Sequence, residues 1–427
     1  MIMAMIRPET EMKDSGIEWI GDIPESWTIR PLKSLYTLTT GFTPNSKDDS
    51  LYDENGETWV TIGDLKGDII YNSKQKISKK VADMHRAEMT KQGSLMYSFK
   101  LSVGTVAVAG KDLFTNEAIA SFLPKNRHGN LHYLKYASSL IIGNANTNIY
   151  GAFIMNQQLI LNAPLPLPSL DEQQAIADYL DETCSKIDEI IAEANASVEE
   201  YKELKQSVID NATMTGIHDS EMKNTDYVWF PEMPKSWDLV LASLLFREDV
   251  RPVDANDVSL SLSQVDGLIP TDDMSERSLK SATHDNWKHV IPDDLVLNRF
   301  KGHLGVFFAS KYTGMVSFHY GVYHAIRDDV YAKYYEYLFH STTYKNIFAL
   351  KSNGITVGLQ NLSNGNFYSV KILHPTLDEQ IEIVKFLDKR IAEIDSLIAE
   401  KESLINDLEA YKKSLIYEVV TGKRRVV

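Results

Sequence analysis

The sequence predicts an α+β fold in which two mixed α/β modules are separated by two long antiparallel helices that form a coiled-coil spacer, with an internal pseudo-twofold repeat. Three observations predict it. The sequence of 427 residues contains an internal repeat, and each half holds a long apolar stripe at helical spacing. The remainder of each half holds short β-like runs between turns. This length leaves room for about three units of roughly 150 residues, and 43% hydrophobic residues can bury real cores.

The repeat is clearest where each helical segment begins. Residues 169–173 (Ser-Leu-Asp-Glu-Gln) return as 376–380 (Thr-Leu-Asp-Glu-Gln), and the Pro-x-Ser-Trp of 24–27 returns at 234–237. Further upstream, Phe99-Lys100 with Gly104 returns as Phe300-Lys301 with Gly305. The order is therefore module, helix, module, helix.

The two helical segments carry start and stop signals. Neither contains Pro or Gly between residues 171 and 211 or between 378 and 420, and each begins with Ser or Thr followed three residues later by Glu, a capping box. Each ends at a Thr-Gly pair, where glycine suits a helix C-terminus. Apolar residues recur three and four positions apart and predict one stripe on each helix. The predicted coiled-coil interface consists of Ile176, Leu180, Cys184, Ile187, Ile191, Val198, Tyr201, Ile383, Leu387, Ile391, Ile394, Ile398, Ile405 and Leu408.

Chain connectivity predicts the direction of the two helices. Each helix leaves its own module at its N-terminus, and the first must deliver the chain into the second module at its C-terminus. An antiparallel pair with one module at each end satisfies both conditions. The alternative is that each stripe packs only on its own module.

The modules have a different texture. Residues 59–64, 104–108 and 306–308 are short β-like runs among Gly, Asn, Asp and Pro, and shorter helices are expected near 131–140 and 331–348.

Charge and composition exclude several classes. The net charge of −15 argues against a generally basic nucleic-acid-coating protein, and more than half of the acidic excess lies on 169–216. A single cysteine, Cys184, excludes a disulfide framework and a multi-cysteine zinc site. No apolar run approaches the ~18 residues that span a bilayer. We therefore expect a cytoplasmic protein with no membrane partner.

Catalytic motifs are missing from the sequence. It contains no phosphate-binding P-loop, no His-Glu-x-x-His, and no Pro-Pro pair for the tetrapeptide of amino-methyltransferases. Asp64 with Lys66 predicts a surface turn rather than half of a nuclease site. Cys184 occupies a stripe position and predicts a core residue. His284, His289, His303, His319 and His324 match no metal spacing. No catalytic residue, metal ligand or enzyme activity is predicted.

The motifs resemble those of one family, the specificity subunits of type I restriction-modification systems. The resemblance rests on residues 18–27 (Glu-Trp-Ile-Gly-Asp-Ile-Pro-Glu-Ser-Trp), on 59–65 (Trp-Val-Thr-Ile-Gly-Asp-Leu) and on the doubled Pro-x-Leu-Asp-Glu-Gln helix starts, and it covers nearly the whole chain. The second copy departs from the pattern at 258–261 (Val-Ser-Leu-Ser) and at 229–232 (Trp-Phe-Pro-Glu).

This resemblance implies a domain order and a set of partners. Target-recognition domains would occupy 1–168 and 217–375, and conserved spacer helices would occupy 169–216 and 376–427. Each recognition domain would read one half of a split, asymmetric sequence in double-stranded DNA. The helices would dock two methyltransferase subunits, with which restriction-translocase subunits can associate. S-adenosylmethionine, ATP and Mg are expected only on those partner subunits, and no cofactor on this chain.

Base edges in DNA are read by polar and basic side chains on protruding loops. The predicted DNA-binding residues of the first module are Thr43, Asn45, Ser46, Lys47, Ser98, Lys100 and Asn116; those of the second are Asn298, Arg299, Lys301, His303 and Tyr320. For each one singly, an ordinary solvated loop residue is an equal alternative. Two rival functions are a coiled-coil scaffold that does not bind DNA and a single-chain modification enzyme, which would need the catalytic tetrapeptide.

Overall fold

The computed structural model describes residues 5–100, 102–147, 153–263, 267–274, 286–352 and 361–426, with His303 described by its backbone alone. By its internal contacts the chain divides into two compact units. The first unit comprises residues 1–193 and 404–427, and the second comprises residues 194–403. This division passes through both long helices, so the predicted domain boundaries at 168, 216 and 375 stay predictions.

The elements of the first module alternate short strands with short helices and end in a long helix. They are β1 Met5–Ile6, β2 Met12–Asp14, β3 Asp22–Pro24, β4 Thr28–Pro31, β5 Tyr36–Thr40, β6 Tyr52–Val60, β7 Ile69–Ile70, β8 Gln75–Ile77, α1 Lys79–Met84, β9 Leu95–Ser98, β10 Val106–Ala109, β11 Phe114–Thr115, β12 Ile119–Pro124, α2 Leu131–Ala137, β13 Asn146–Thr147, β14 Phe153–Ile154, α3 Gln157–Asn162, β15 Pro164–Leu167 and α4 Leu170–Thr215.

The second module follows the same plan. Its elements are β16 Met222–Tyr227, β17 Phe230–Pro234, β18 Asp238–Leu241, β19 Phe246–Glu248, β20 Leu260–Ser263, β21 Gly267–Pro270, β22 Lys288–Val290, β23 Leu295–Asn298, β24 Phe307–Ala309, β25 Gly314–Val316, β26 Tyr320–Ala325, α5 Ala332–Phe339, α6 Thr342–Lys351, α7 Asn364–Tyr368, β27 Lys371–His374, α8 Leu377–Val420 and β28 Arg424–Arg425.

The central sheets of the two modules have the same core topology. The first has the order β5-β12-β9-β10-β7, and the second has the order β19-β26-β23-β24. In both, the first three neighbouring pairs are antiparallel. The first sheet adds β7 as a parallel edge strand. The internal repeat seen in the sequence is therefore also a repeat of strand order.

The predicted short elements are present with shifted ends. The run 59–64 is a strand only to Val60, because Asp64 accepts hydrogen bonds from Thr61 N at 2.9 Å and Thr61 Oγ1 at 2.8 Å and turns the chain into a 3-10 turn. The helix expected near 331–348 is two helices, α5 and α6. The break falls at Ser341, whose hydroxyl accepts from Tyr344 N and caps α6.

The long helices begin and end where the sequence predicts. Thr376 and Glu379 form a reciprocal capping box at the start of α8. At the start of α4, Ser169 caps Glu172 N at 3.3 Å, while the Glu172 carboxylate turns to other partners. Gly216 and Gly422 follow the helices with φ of 82° and 73°. No helix among the described residues is both long and apolar enough to cross a membrane.

In the first unit the helices run antiparallel. Arg7 bonds the Gly422 carbonyl at 3.0 Å and Glu172 at 3.4 Å, so the start of α4 lies beside the end of α8. Further along, Asp188 forms an ion pair of 2.6 Å with Lys412. Residue numbers that increase along α4 therefore lie opposite residue numbers that decrease along α8, as in an antiparallel pair.

The second unit repeats this arrangement. Lys205 forms an ion pair of 2.7 Å with Asp395, and Ile209 and Ile391 line the same cleft. The predicted fold class, two mixed modules with two long antiparallel helices, is confirmed.

The predicted interface residues are buried or half-buried. Those nearest the helix N-termini join the cores of the modules: Ile176 and Leu180 pack in the core of the first unit, and Ile383 and Leu387 in that of the second. These first turns also pack on the end of the other helix, because Leu415 and Val419 lie in the core cluster of Ile176, and Ile209 in that of Ile383. Farther from the helix N-termini, Val198 of α4 and Ile394 of α8 are also buried. Ile191, Tyr201, Ile391, Ile398, Ile405 and Leu408 are half-buried.

Candidate nucleic-acid interface

Three loops of the first unit meet where β5, β9 and β12 end or begin. Ser98 pairs with Ile119 across β9 and β12, so the residues after Ser98 lie beside those before Ile119. Phe42 N donates to Thr115 O at 3.0 Å and fixes the loop after β5 along β11. We call Thr43, Ser98, Lys100, Asn116 and Glu117 the first rim. Four of the seven predicted DNA-binding residues of this module belong to it.

Glu117 contacts two other residues of the first rim. The Thr43 hydroxyl donates to Glu117 Oε2, and Lys100 Nζ lies 3.8 Å from Glu117 Oε1. The hydrogen bond from Thr43 holds the pKa of Glu117 below its ordinary value, so this carboxylate is charged at neutral pH. The side chains of Lys100 and Glu117 are each half exposed and can reach a ligand.

Ser98 and Asn116, the other two polar residues of the first rim, form hydrogen bonds with nearby backbone groups. Ser98 is buried, donates to the Ser102 carbonyl and accepts from Thr105 N at 3.1 Å. Asn116 Oδ1 accepts from Ala118 N at 3.2 Å. These bonds shape the turns that carry Lys100 and Glu117 and leave less capacity for a base.

Asn45, Ser46 and Lys47 lie on the exposed loop after the first rim. Asn45 Oδ1 accepts from Lys47 N at 3.1 Å and folds the loop tip into a turn. Ser46 lines an open cleft together with exposed Lys74 and half-buried Lys76. Asp49, Asp53 and Glu54 line the same cleft, so its acidic side chains outnumber its two lysines.

The equivalent strand ends of the second unit form what we call the second rim: Asn298, Phe300, Lys301, Phe318, His319 and Tyr320. Asn298 pairs directly with Tyr320 across β23 and β26. The imidazole of His319 packs on Phe318 at 3.8 Å and on Phe300 at 5.1 Å between ring centroids. Phe318 is 52% exposed and Phe300 40% exposed, which is unusual for phenylalanine. The structure thus brings together three predicted residues, Asn298, Lys301 and Tyr320. His303 has no described side chain.

Arg299 points into a buried polar network. Its guanidinium donates to Glu248 at 2.6 Å and to Asn364 at 2.7 Å, and Lys288 donates to the same glutamate at 2.6 Å. Burial alone would raise the pKa of Glu248, but the bonds from Lys288 and Asn364 and the charge of Arg299 outweigh burial and lower it. Arg299 therefore holds β19 to the end of β23, and its proposed contact with DNA stays a prediction.

Sequence reasoning missed Glu117, Phe300, Phe318 and His319. The signal was available, because the offset of 201 residues that aligns Phe99-Lys100 with Phe300-Lys301 also sets Glu117 opposite Phe318. The two rims share a backbone plan but carry a carboxylate in one unit and a phenyl ring in the other.

Cys184 and the histidines are predicted to have no catalytic or metal-binding role, and the described contacts of Cys184 and His289 agree with this. Cys184 is buried, and burial raises the pKa of its thiol. His289 bonds Asp257 at 2.6 Å, and no group of three metal-ligating side chains occurs among the described residues. His284 lies outside the described residues.

A model of the type I restriction modification DNA specificity domain matches residues 24–200 and 271–407, more than half of the chain. The chain belongs to this family. Specificity subunits of type I restriction-modification systems are non-catalytic, in keeping with the family assignment.

The chain is similar to curated specificity subunits and to solved structures. It is 25% identical over 256 residues to the type I restriction enzyme MjaIX specificity subunit of Methanocaldococcus jannaschii, a match that covers 56% of this chain and 55% of that subunit. The chain spans about half the length of the curated relatives that it matches. Its fold is similar to a chain in a study of complex assembly and conformational transition of the type I system, with a TM-score of 0.67, 13% identity, and coverage of 93% and 98%. For the HsdS subunit from Thermoanaerobacter tengcongensis the TM-score is 0.50, the identity 12%, and the coverage 94% and 98%.

Proposed function

We propose that this chain is the non-catalytic DNA-recognition subunit of a type I restriction-modification complex, and that each unit reads one half of a split, asymmetric double-stranded target. The observation that carries the proposal is the pair of rims, which occupy equivalent strand ends but present different side chains. Equivalent positions suit two similar docking modes, and different side chains suit two different half-sites.

The acidic balance of the chain calls for a partner. Affinity for the DNA backbone depends on Lys and Arg that neutralise phosphates, and this chain carries a net charge of −15. The proposed partners are two methyltransferase subunits that supply basic surface and the chemistry. S-adenosylmethionine would bind to them, and ATP and Mg to the restriction-translocase subunits that associate with the complex.

Exposed apolar residues on the long helices support docking at two equivalent places. Ile190 is 46% exposed, and its repeat equivalent Leu397 is 41% exposed. Leu204 is 46% exposed, and its equivalent Tyr411 is 49% exposed. We call these four residues the exposed helix patch, to distinguish them from the apolar stripe of the predicted coiled-coil interface. Exposed apolar side chains that recur at repeat positions suit two copies of one partner.

A gel shift tests the proposal with and without a co-expressed methyltransferase subunit. The chain alone should bind DNA weakly, and the complex should bind a bipartite sequence tightly. Failure of the complex to prefer any sequence would favour the scaffold alternative.

Aspartate substitutions test the docking surface. Ile190→Asp with Leu397→Asp should abolish co-purification of the methyltransferase subunit, because a buried charge costs several kcal/mol. Val228→Asp is the control, since Val228 is 86% exposed on the turn between β16 and β17. Unchanged co-purification of the double variant would place the partner elsewhere.

Helix length offers a test of the spacer. Paired readers are commonly set about one DNA turn apart, roughly 34–36 Å. Adding or removing about one helical turn in 198–208 and in the matching 405–415 should change the gap between half-sites and leave both half-site sequences intact. Methylation sequencing reports both, and an unchanged gap would contradict the spacer role.

A further inference from the structure

Glu117 carries a negative charge on the proposed DNA-binding surface, where a negative charge is unfavourable. A negatively charged side chain at a DNA-binding surface is repelled by phosphates and lowers backbone affinity. It is tolerated where a hydrogen-bond donor of the ligand meets it, since carboxylates accept hydrogen bonds and donate none when ionised.

The turn that carries Glu117 is fixed from both sides. Asn116 N donates to Val60 O at 2.9 Å, and Ile119 N donates to Asn116 O at 3.2 Å. Ahead of it, Gly41 passes so close to Thr115 that a Cβ on Gly41 would lie 1.7 Å from the Thr115 carbonyl oxygen. The Glu117 carboxylate therefore sits on a pre-organised loop and needs little ordering to meet a ligand.

The contacts of Glu117 leave part of the acceptor capacity of its carboxylate unused. Oε2 accepts from Thr43, and the carboxylate also accepts from the backbone of Glu117 itself, whereas Oε1 lies 3.8 Å from Lys100 Nζ, which is longer than a hydrogen bond. Each carboxylate oxygen can accept two hydrogen bonds. Oε1 thus retains acceptor capacity on a side chain that is 50% exposed.

The chemistry of base edges then selects a partner. In the major groove cytosine presents only its N4 amino donor, whereas adenine sets its N7 acceptor beside its amino group and guanine presents two acceptors. A carboxylate is attracted by the cytosine edge and repelled by the acceptors of the purines. The equivalent residue of the second rim, Phe318, cannot make this hydrogen bond.

From this geometry we infer that Glu117 is a specificity-determining residue that accepts a hydrogen bond from cytosine N4 in the half-site read by the first unit. The inference rests on the proposed function. Thr43 is a positioning residue, because its hydroxyl holds the carboxylate rather than meeting the base. The half-site read by the second unit lacks this contact.

Selection from a random duplex library tests the inference with the complex of this chain and its methyltransferase subunits. In the wild type, one half-site should contain a C·G pair whose preference over other pairs falls on the order of 10- to 100-fold in Glu117→Gln. Glu18→Gln is the matched control: Glu18 is an exposed carboxylate before Trp27 that takes no part in the first rim. Phe318→Ala should alter only the other half-site.

Several outcomes would overturn the inference while leaving the proposed function intact. They are an unchanged preference in Glu117→Gln, an equal loss at every sequence, an affected pair other than C·G, or a change in the half-site that Phe318→Ala also changes. For Thr43, Thr43→Val should lower the cytosine preference and Thr43→Ser should restore it; equal preferences would reject the positioning role. A wild-type complex that selects no bipartite sequence would instead reject the proposed function itself.

Discussion

The indole Nε1 of Trp27 donates a hydrogen bond of 2.9 Å to Oε2 of Glu172, and so ties the opening motif of the first module to the first turn of α4. The repeat equivalents make the same bond in the second unit, where Trp237 donates to Glu379 at 3.3 Å. Both indoles are 1% exposed. The duplicated Pro-x-Ser-Trp and Asp-Glu-Gln motifs therefore mark one contact, made twice.

Replacement of Trp27 by phenylalanine removes this donor and leaves a small cavity. We expect Trp27→Phe to lower the free energy of unfolding of the first unit by about 2–4 kcal/mol, since it combines a lost hydrogen bond to a charged group with lost packing. Hydrogen exchange measured unit by unit is the readout. Trp237→Phe is the matched variant, and it should loosen the second unit instead. Equal loosening of both units by either variant would show that the contact is not local.

The stability of the second unit should fall in mild acid because of His340. Burial, with the positive charges of Lys345 and Lys333 nearby, lowers the pKa of His340 to about 3, and its ring packs against Phe308. The unfolded state, with an ordinary pKa near 6.5, then binds one more proton as the pH falls from about 6.5 toward 3, so stability is lost over that window. At pH 5 the loss is at most on the order of 2 kcal/mol, because His340 lines an open cleft and is only partly buried.

Denaturant unfolding of the wild type and of His340→Gln at pH 7.5 and pH 5 checks this effect. The glutamine variant should lose much less stability between the two pH values. His132→Gln is a control on an exposed histidine of the first unit. A wild-type stability that does not change between pH 7.5 and pH 5 would contradict the assignment.

A methyl group at position 41 should displace the loop that carries Thr43. In Gly41→Ala the new Cβ would overlap the Thr115 carbonyl, which lies 1.7 Å away, so backbone must shift. We expect a loss of about 1–3 kcal/mol in stability from overpacking and, under the proposed function, relaxed preference in the half-site that the first unit would read. Gly63→Ala is the control, because its Cβ would meet only Thr61 Oγ1 at 3.8 Å. Identical target preference in both variants would show that loop 41–43 does not position the first rim.

Arg299→Ala separates a base contact from a supporting role. If Arg299 contacts a base, modification should weaken and preference should relax in one half-site only. Its bonds to Glu248 and Asn364 add a second expectation, a loss of about 1.5–3 kcal/mol in stability of the second unit, as for hydrogen bonds to charged groups. Methylation sequencing and denaturant unfolding on the same samples distinguish the two. A stable variant with uniformly weaker modification would make Arg299 a phosphate contact.

The sequence alone determined the duplication, the two long helices, their caps and their antiparallel direction. These features follow from local rules: a capping box is four residues long, a stripe depends on 3.6 residues per turn, and a chain that must enter the second module limits the direction of a helix pair. The burial of Cys184 followed from the same stripe.

Only the tertiary structure decided which loop residues share a surface. Thr43, Lys100 and Glu117 are distant in sequence and meet because β5, β12 and β9 are neighbours in one sheet, an order that periodicity does not encode. The same applies to Arg299, whose sequence neighbours suggest an exposed loop, whereas pairing of β19, β26 and β23 brings Glu248 to its guanidinium. Local pattern fixes helices because their hydrogen bonds close within four residues, but a rim built from strand ends depends on contacts between distant segments.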